Sequence, residues 1–180
     1  MSKSFDRLSF DRHLKERGWV EPKDLPKGPG GYPLCRQCGT ETAPPRRTFC
    51  SAACVNSWKI RSQPGYAREQ VFGRDKGICK DCGLDTEELK RLLYRVKMER
   101  GHAAYVELTV LYETQYGYGF YLGQHAWECD HDLAVALGGG SCNLSNLVTR
   151  CLPCHHRKTQ QDLKKIRARR KSPTKSYSKS

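Results

Sequence analysis

The chain has 180 residues, a net charge of +13 and 37% hydrophobic content, enough for one modest core or two small metal-stapled units but thin for a single large domain. No window approaches the roughly 18 consecutive apolar residues of a membrane-crossing helix, and MSKSFDRLSF lacks the apolar run of a secretory signal, so an intracellular protein of cytoplasm, nucleoid or nucleus with no membrane partner is expected. Ten cysteines in a reducing compartment read as metal ligands rather than disulfides, and the excess of Lys and Arg points to a polyanionic partner.

Residues 1–34 form an arm and linker: an amphipathic helix is expected from about Phe5 to Arg17, followed by PKDLPKGPGGYP, whose prolines and glycines favour an irregular connection. A first metal unit occupies 35–64, with Cys35-x2-Cys38 followed by Cys50-x3-Cys54. A Cys-x-x-Cys turn lets both thiolates face one ion, and the wider pair suits the first turn of a helix beginning near Ser51. The expectation is a four-cysteine zinc ribbon or treble-clef-like finger. Arg46, Arg47, Lys59, Arg61 and Arg68 surround it and suit a grip on DNA backbone, with a purely structural finger as the alternative.

A helix in the segment from Gly65 should end at Gly73 or Gly77, ahead of a second knuckle, Cys79-x2-Cys82. Asp85 then reads as an N-cap with Glu88 three residues on. Leu89, Leu92, Leu93 and Val96 recur at helical spacing as one buried stripe. Seven aromatic residues lie between Tyr105 and Trp127, among them Tyr116, Tyr118, Phe120 and Tyr121. The local acidic balance favours core or a partner surface over base stacking.

Next comes a strand around His125 to Asp132, a turn at Gly138 to Gly140, a second short strand or loop through Asn146 to Thr149, and a helix from about Pro153 to Ile166. Cys151-x2-Cys154 completes a tetrad with Cys79 and Cys82 for a second structural zinc. Cys154 and His155 project about 100° apart on a helix, so one can face that zinc and the other a second, reactive metal beside Asp130, His131 and Asn146. Adjacent strand residues point to opposite faces, so Asp130 and His131 need a strand end or irregularity to serve one phosphate. Asp132 is a possible further carboxylate, and His156 a phosphate contact or solvated side chain. Cys129 and Cys142 fit no ligand spacing and read as buried thiols. Lys158, Lys164, Lys165, Arg167, Arg169 and Arg170 are candidate DNA contacts, and residues 167–180 are expected to form a basic disordered tail.

The segment DHDLAVALGGGSCNLSNLVTRCLPCHHRKT resembles the HNH endonucleases, the ββα-metal nucleases. With the FCSAAC finger ahead of it, the chain is similar in particular to the C-terminal nuclease region of fork-remodelling annealing helicases. The resemblance covers about residues 35 to 165 and is most specific over 128–159. It implies an α+β fold: a small zinc-stapled, treble-clef-like HNH domain over 65–166, with a helical and aromatic insertion at about 84–127, preceded by the four-cysteine finger. It also implies two structural Zn²⁺ ions and one catalytic divalent cation, Mg²⁺ or Mn²⁺, on Asp130 and His155. His131 would be the general base and Asn146 the residue that fixes it. Cleavage of DNA to 5′-phosphate and 3′-hydroxyl ends follows from that resemblance, with a larger helicase, recombination or defence protein as the targeting partner. The rival reading is a non-catalytic zinc-dependent DNA-binding or scaffold protein of the same fold.

Overall fold

The computed structural model describes residues 20–119, 124–140 and 143–171. The helix expected over Phe5–Arg17, Phe120, Tyr121, Cys142 and the tail beyond Lys171 lie outside the described residues. The chain divides into two compact units, Met1–Gln63 and Pro64–Ser180. No helix among the described residues is long and apolar enough to cross a membrane.

Among its described residues the first unit has a short 3-10 helix, Pro22–Asp24, and one α-helix, α1 (Ala52–Ser62). The Cys35 amide donates to the Thr40 carbonyl at 2.7 Å and the Gly39 amide returns to the Cys35 carbonyl at 2.9 Å, closing a tight knuckle. The Ser51 hydroxyl caps α1 by accepting from the Cys54 amide at 3.1 Å, so the cap that starts the helix also fixes a cysteine. The Arg36 guanidinium lies over the Trp58 ring at 4.5 Å, a cation–π contact that covers one side of the knuckle.

The second unit joins a two-stranded antiparallel sheet to three helices. The strands, β1 (Trp127–His131) and β2 (Leu147–Cys151), pair with Trp127 opposite Cys151 and His131 opposite Leu147. Helix α2 (Pro64–Asp75) packs on them. Its Arg68 sits 3.7 Å from the Trp127 ring centroid, and its Phe72 stacks on the same ring. At its end Asp75 takes the Arg74 guanidinium on both oxygens, at 2.6 and 2.9 Å, and accepts from the buried Thr149 backbone amide at 3.0 Å. The Arg74 hydrogen bonds lead the causes that hold the Asp75 carboxyl below the usual carboxylate range.

Helix α3 (Thr86–Tyr116) starts where the Asp85 carboxylate accepts from the Glu87 and Glu88 amides, both at 2.9 Å. It is broken at Gly101, whose φ of 85° and ψ of 177° only glycine adopts readily. The break lets both halves contribute to one core, in which Leu93 and Tyr105 meet Ala126 and Leu152, with Leu89, Leu108 and Tyr112 packed around them. Leu92, expected in the buried stripe, is instead 40% exposed. The final helix, α4 (Leu152–Lys171), continues past Ile166, so Arg167, Arg169 and Arg170 stand on a helix rather than in a tail.

Each unit carries one thiol tetrad, Cys35/Cys38/Cys50/Cys54 and Cys79/Cys82/Cys151/Cys154, with the sulfurs of each within 4.8 Å of one another. The separations Cys38–Cys50, Cys50–Cys54 and Cys82–Cys151 are 3.5, 3.5 and 3.6 Å. A disulfide would need about 2.05 Å, whereas a tetrahedral ion at about 2.3 Å from each sulfur sets them roughly 3.8 Å apart. Both tetrads could therefore hold a structural zinc. The bond with Cys151 leads the causes that draw Cys79 down to about 4, and the same bond, with burial, pushes Cys151 up. A bound cation replaces the shared protons and lets every sulfur ionise.

Cys79→Ser is expected to remove one zinc equivalent and lower the melting temperature together, read by metal analysis and thermal denaturation. Asp75→Ala leaves the Thr149 amide without its partner and should destabilise the second unit by about 1–3 kcal/mol. Because the folded Asp75 carboxyl titrates below its unfolded value, its contribution is complete above about pH 4 and is lost as the pH falls through the folded value. Urea unfolding of the wild type and Asp75→Ala at neutral and acid pH should show the gap closing in acid.

Candidate functional site

Strand alternation sends Trp127, Cys129 and His131 to one face of β1 and Glu128 and Asp130 to the other. Both Asp130 and His131 are paired within the ladder, so no irregularity turns them toward one side, although His131 is the last residue of the strand. On the Asp130 face Arg150 Nη1 donates to Asp130 Oδ2 at 3.0 Å, and Lys158 Nζ approaches the same oxygen at 3.5 Å. Arg150 is only 5% exposed and also reaches Asp81 through Nε (2.9 Å) and Asp132 through Nη2 (2.8 Å). Burial works against its charge, but hydrogen bonds to Asp81 and Asp132 and the charges of Asp81 and Asp130 more than offset that. Asp132 is held low chiefly by its bond to Lys80, with Arg150 adding to it. Asp81, Asp132 and Arg150, with Arg157 and Lys158, border a cavity of about 500 Å³.

His131 ends β1 with its Nε2 buried and, among the described residues, without a hydrogen-bond partner. Beyond it the Asp132 amide donates to the Asn146 carbonyl at 2.7 Å. The Asn146 side chain accepts from the Leu133 amide (2.9 Å) and donates to the Leu133 and Gly140 carbonyls (3.0 and 3.1 Å). Asn146 thus braces the backbone of the loop that directly follows His131. The loop is glycine-bound for a steric reason: a Cβ on Gly139 would lie 1.8 Å from the Leu133 carbonyl oxygen.

His155 is half-buried in the first turn of α4, immediately after the buried Cys154. Among the described residues the two tetrads are the groups of three or more ligating side chains, and Asp130 and His155 are in neither. A carboxylate oxygen and an imidazole nitrogen suit a divalent cation that keeps open positions for water and phosphate oxygens. The contacts from Arg150 and Lys158 both fall on Asp130 Oδ2 and leave Oδ1 outside them. The donors present therefore fit such an ion.

The cations divide by environment. Arg46, Arg47, Lys164, Lys165, Arg167 and Arg170 are exposed, whereas Lys59 and Arg61 are half-buried on α1. Arg169 donates to the Leu137 carbonyl at 3.0 Å. Lys158, expected to meet DNA, is turned inward, 13% exposed, between Asp130 and Asp162. His156, expected as a phosphate contact or solvated, rests against Tyr118 with its Nε2 2.8 Å from Gln160 Nε2. Sequence reasoning missed Arg150, Asp81 and Lys80. The available signal was opposite charge placed directly beside zinc ligands: Lys80 and Asp81 lie between Cys79 and Cys82, and Arg150 precedes Cys151.

No family model and no solved structure matches the chain. Curated proteins do match. It is 36% identical over 164 residues to the DNA annealing helicase and endonuclease ZRANB3 of Mus musculus, covering 82% of this chain and 15% of that protein. The Homo sapiens protein of the same name is 32% identical over 152 residues, and that of Bos taurus 33% identical over 150, each covering 74% of this chain. The chain spans only 14% to 15% of the length of these relatives. It is thus homologous to one region of the DNA annealing helicase and endonuclease ZRANB3.

Proposed function

We propose that the chain is a metal-dependent HNH endonuclease that hydrolyses DNA phosphodiester bonds to 5′-phosphate and 3′-hydroxyl ends. The observation that carries this reading is the hairpin-and-helix unit: Asp130 and His131 on β1, the Asn146-braced loop, and His155 one residue beyond a thiol of the tetrad that joins β2 to α4. The word endonuclease in the relatives' name supports it.

Phosphodiester hydrolysis needs a base for the attacking water and positive charge for the phosphorane and the leaving oxygen. When bound to Asp130 and His155, a divalent cation such as Mg²⁺ or Mn²⁺ supplies that charge as a Lewis acid. His131 takes the proton of the attacking water, a task imidazole performs near neutral pH. Because Asp130 and His131 leave the strand on opposite faces, the phosphate they share must lie across the end of β1, where Asn146 fixes the following loop. The exposed cations Arg46, Arg47, Lys164, Lys165, Arg167 and Arg170 hold flanking phosphates, and a larger helicase, recombination or defence protein directs the nuclease to its substrate. One observation favours the second reading, a DNA-binding module without cleavage: Arg150 and Lys158 already neutralise Asp130.

Incubation with supercoiled plasmid separates the two readings. Nicking or linearisation with Mg²⁺ or Mn²⁺ that EDTA abolishes is expected, and bound but intact plasmid under all metals sinks the enzyme. Asp130→Ala should retain both zinc equivalents while losing cleavage. His131→Ala should keep DNA affinity within a few-fold and lower turnover by roughly 10²-fold or more. For binding, each phosphate contact contributes about 0.9 to the slope of log affinity against log salt. Replacing Arg167 and Arg170 by Gln should therefore flatten the slope by up to about 2, with single-turnover cleavage at saturating protein unchanged.

A further inference from the structure

We propose that Arg150 is the positioning residue of the Asp130 site, a guanidinium clamp that fixes this carboxylate to the zinc knuckle. The inference rests on the endonuclease reading and adds the group that aims its acidic ligand. Three carboxylates from two separate stretches of chain converge on one buried side chain, each on a different nitrogen: Asp81 on Nε, Asp130 on Nη1 and Asp132 on Nη2. Only a planar, five-donor fork serves three acceptors in this way. A lysine offers a single point of charge on a flexible stem.

The chain of support is continuous. Asp81 lies between the ligands Cys79 and Cys82, and the Lys80 amide of the same knuckle donates to the Thr149 carbonyl of β2 at 2.9 Å. The knuckle therefore fixes Asp81, Asp81 fixes the guanidinium, and the guanidinium fixes Asp130 Oδ2. Stability is a poor account of the cluster. It gathers Asp81, Asp130, Asp132 and Asp162 against Lys80, Arg150 and Lys158; the pairs on exposed Lys80, Asp81 and Asp132 contribute little, and those sunk around Arg150 rarely improve on well-packed apolar residues of the same volume. What such a network does supply is orientation, the property a metal-ligating carboxylate takes from its hydrogen-bond partners.

The test is calorimetric titration of Mn²⁺ into the zinc-loaded chain, with zinc content measured on the same samples and plasmid cleavage followed against Mn²⁺ concentration. The wild type should bind a Mn²⁺ ion that Asp130→Asn loses. Arg150→Lys should keep both zinc equivalents and weaken Mn²⁺ binding by about 10–100-fold, with the half-saturating Mn²⁺ for cleavage moving by the same factor. Asp81→Asn, which retains the guanidinium but removes one of its anchors, should shift both readings in the same direction by less. Wild-type Mn²⁺ affinity in an Arg150→Lys variant with both zincs overturns the positioning role, as does loss of Mn²⁺ binding only in step with loss of zinc in both variants. A wild type that binds Mn²⁺ but cleaves no DNA overturns the endonuclease reading alone, leaving the role of Arg150 to be decided by the titration. A wild type that binds no Mn²⁺ overturns both.

Discussion

The second unit depends on four sulfurs contributed from two distant stretches of chain. Cys79 and Cys82 lie in a turn after α2, while Cys151 ends β2 and Cys154 lies in the first turn of α4. A two-stranded sheet of five-residue strands has little independent stability in water. Here its second strand is buried along its whole length, because α2 and α4 pack on it and the tetrad ties its last residue to the knuckle. An ion in the tetrad would thus set the angle between β2 and α4, and with it the relation of Asp130 on the sheet to His155 on the helix.

The α3 insertion works through packing. Its two halves, separated at Gly101, bring Leu93 and Tyr105 to Leu152, the residue that opens α4. The start of α4 is therefore held twice, by thiols on one side and by an apolar cluster on another. That redundancy matters for the role proposed for His155, since a side chain in a helix's first turn is only as well placed as the turn itself. Tyr105 and Tyr112 serve this core, while Tyr116 and Tyr118 remain substantially exposed.

Much of this was legible in the sequence because its signals are local. Cys-x-x-Cys spacings announced both tetrads, Ser51 and Asp85 announced helix starts, and the three glycines announced a tight loop whose reason, the Leu133 carbonyl against Gly139, needed coordinates. Periodicity located Leu89 and Leu93 but misjudged Leu92, because a stripe of leucines does not say how wide a face its neighbours will cover. Charge was the least legible quantity. Lys158 reads as one more cation of a basic helix until Asp130 and Asp162 are seen around it, and Arg150 carries no signal of its partner until Asp81 arrives from 69 positions away. Partners so distant in sequence leave no periodic trace. Asn146 illustrates a subtler limit: its importance was visible, but whether it held a ring or a loop depended on a backbone path that only the structure supplies.

The distribution of charge separates holding from reacting. The net +13 resides in side chains such as Arg46, Arg47, Lys164, Lys165, Arg167 and Arg170, which point to water and whose attraction for a polyanion is screened within about 10 Å at 0.1 M salt. Around Asp130 the balance is different: cations and carboxylates are paired side by side, Arg150 buried and Asp130, Lys158 and Asp162 half-buried, at distances where mobile ions intervene little. Salt should accordingly act on the first population and spare the second. Under the proposed function such a protein can let go of DNA without disturbing the geometry of its carboxylates, because the charges that would grip and the charges that would aim are different residues in different dielectric surroundings.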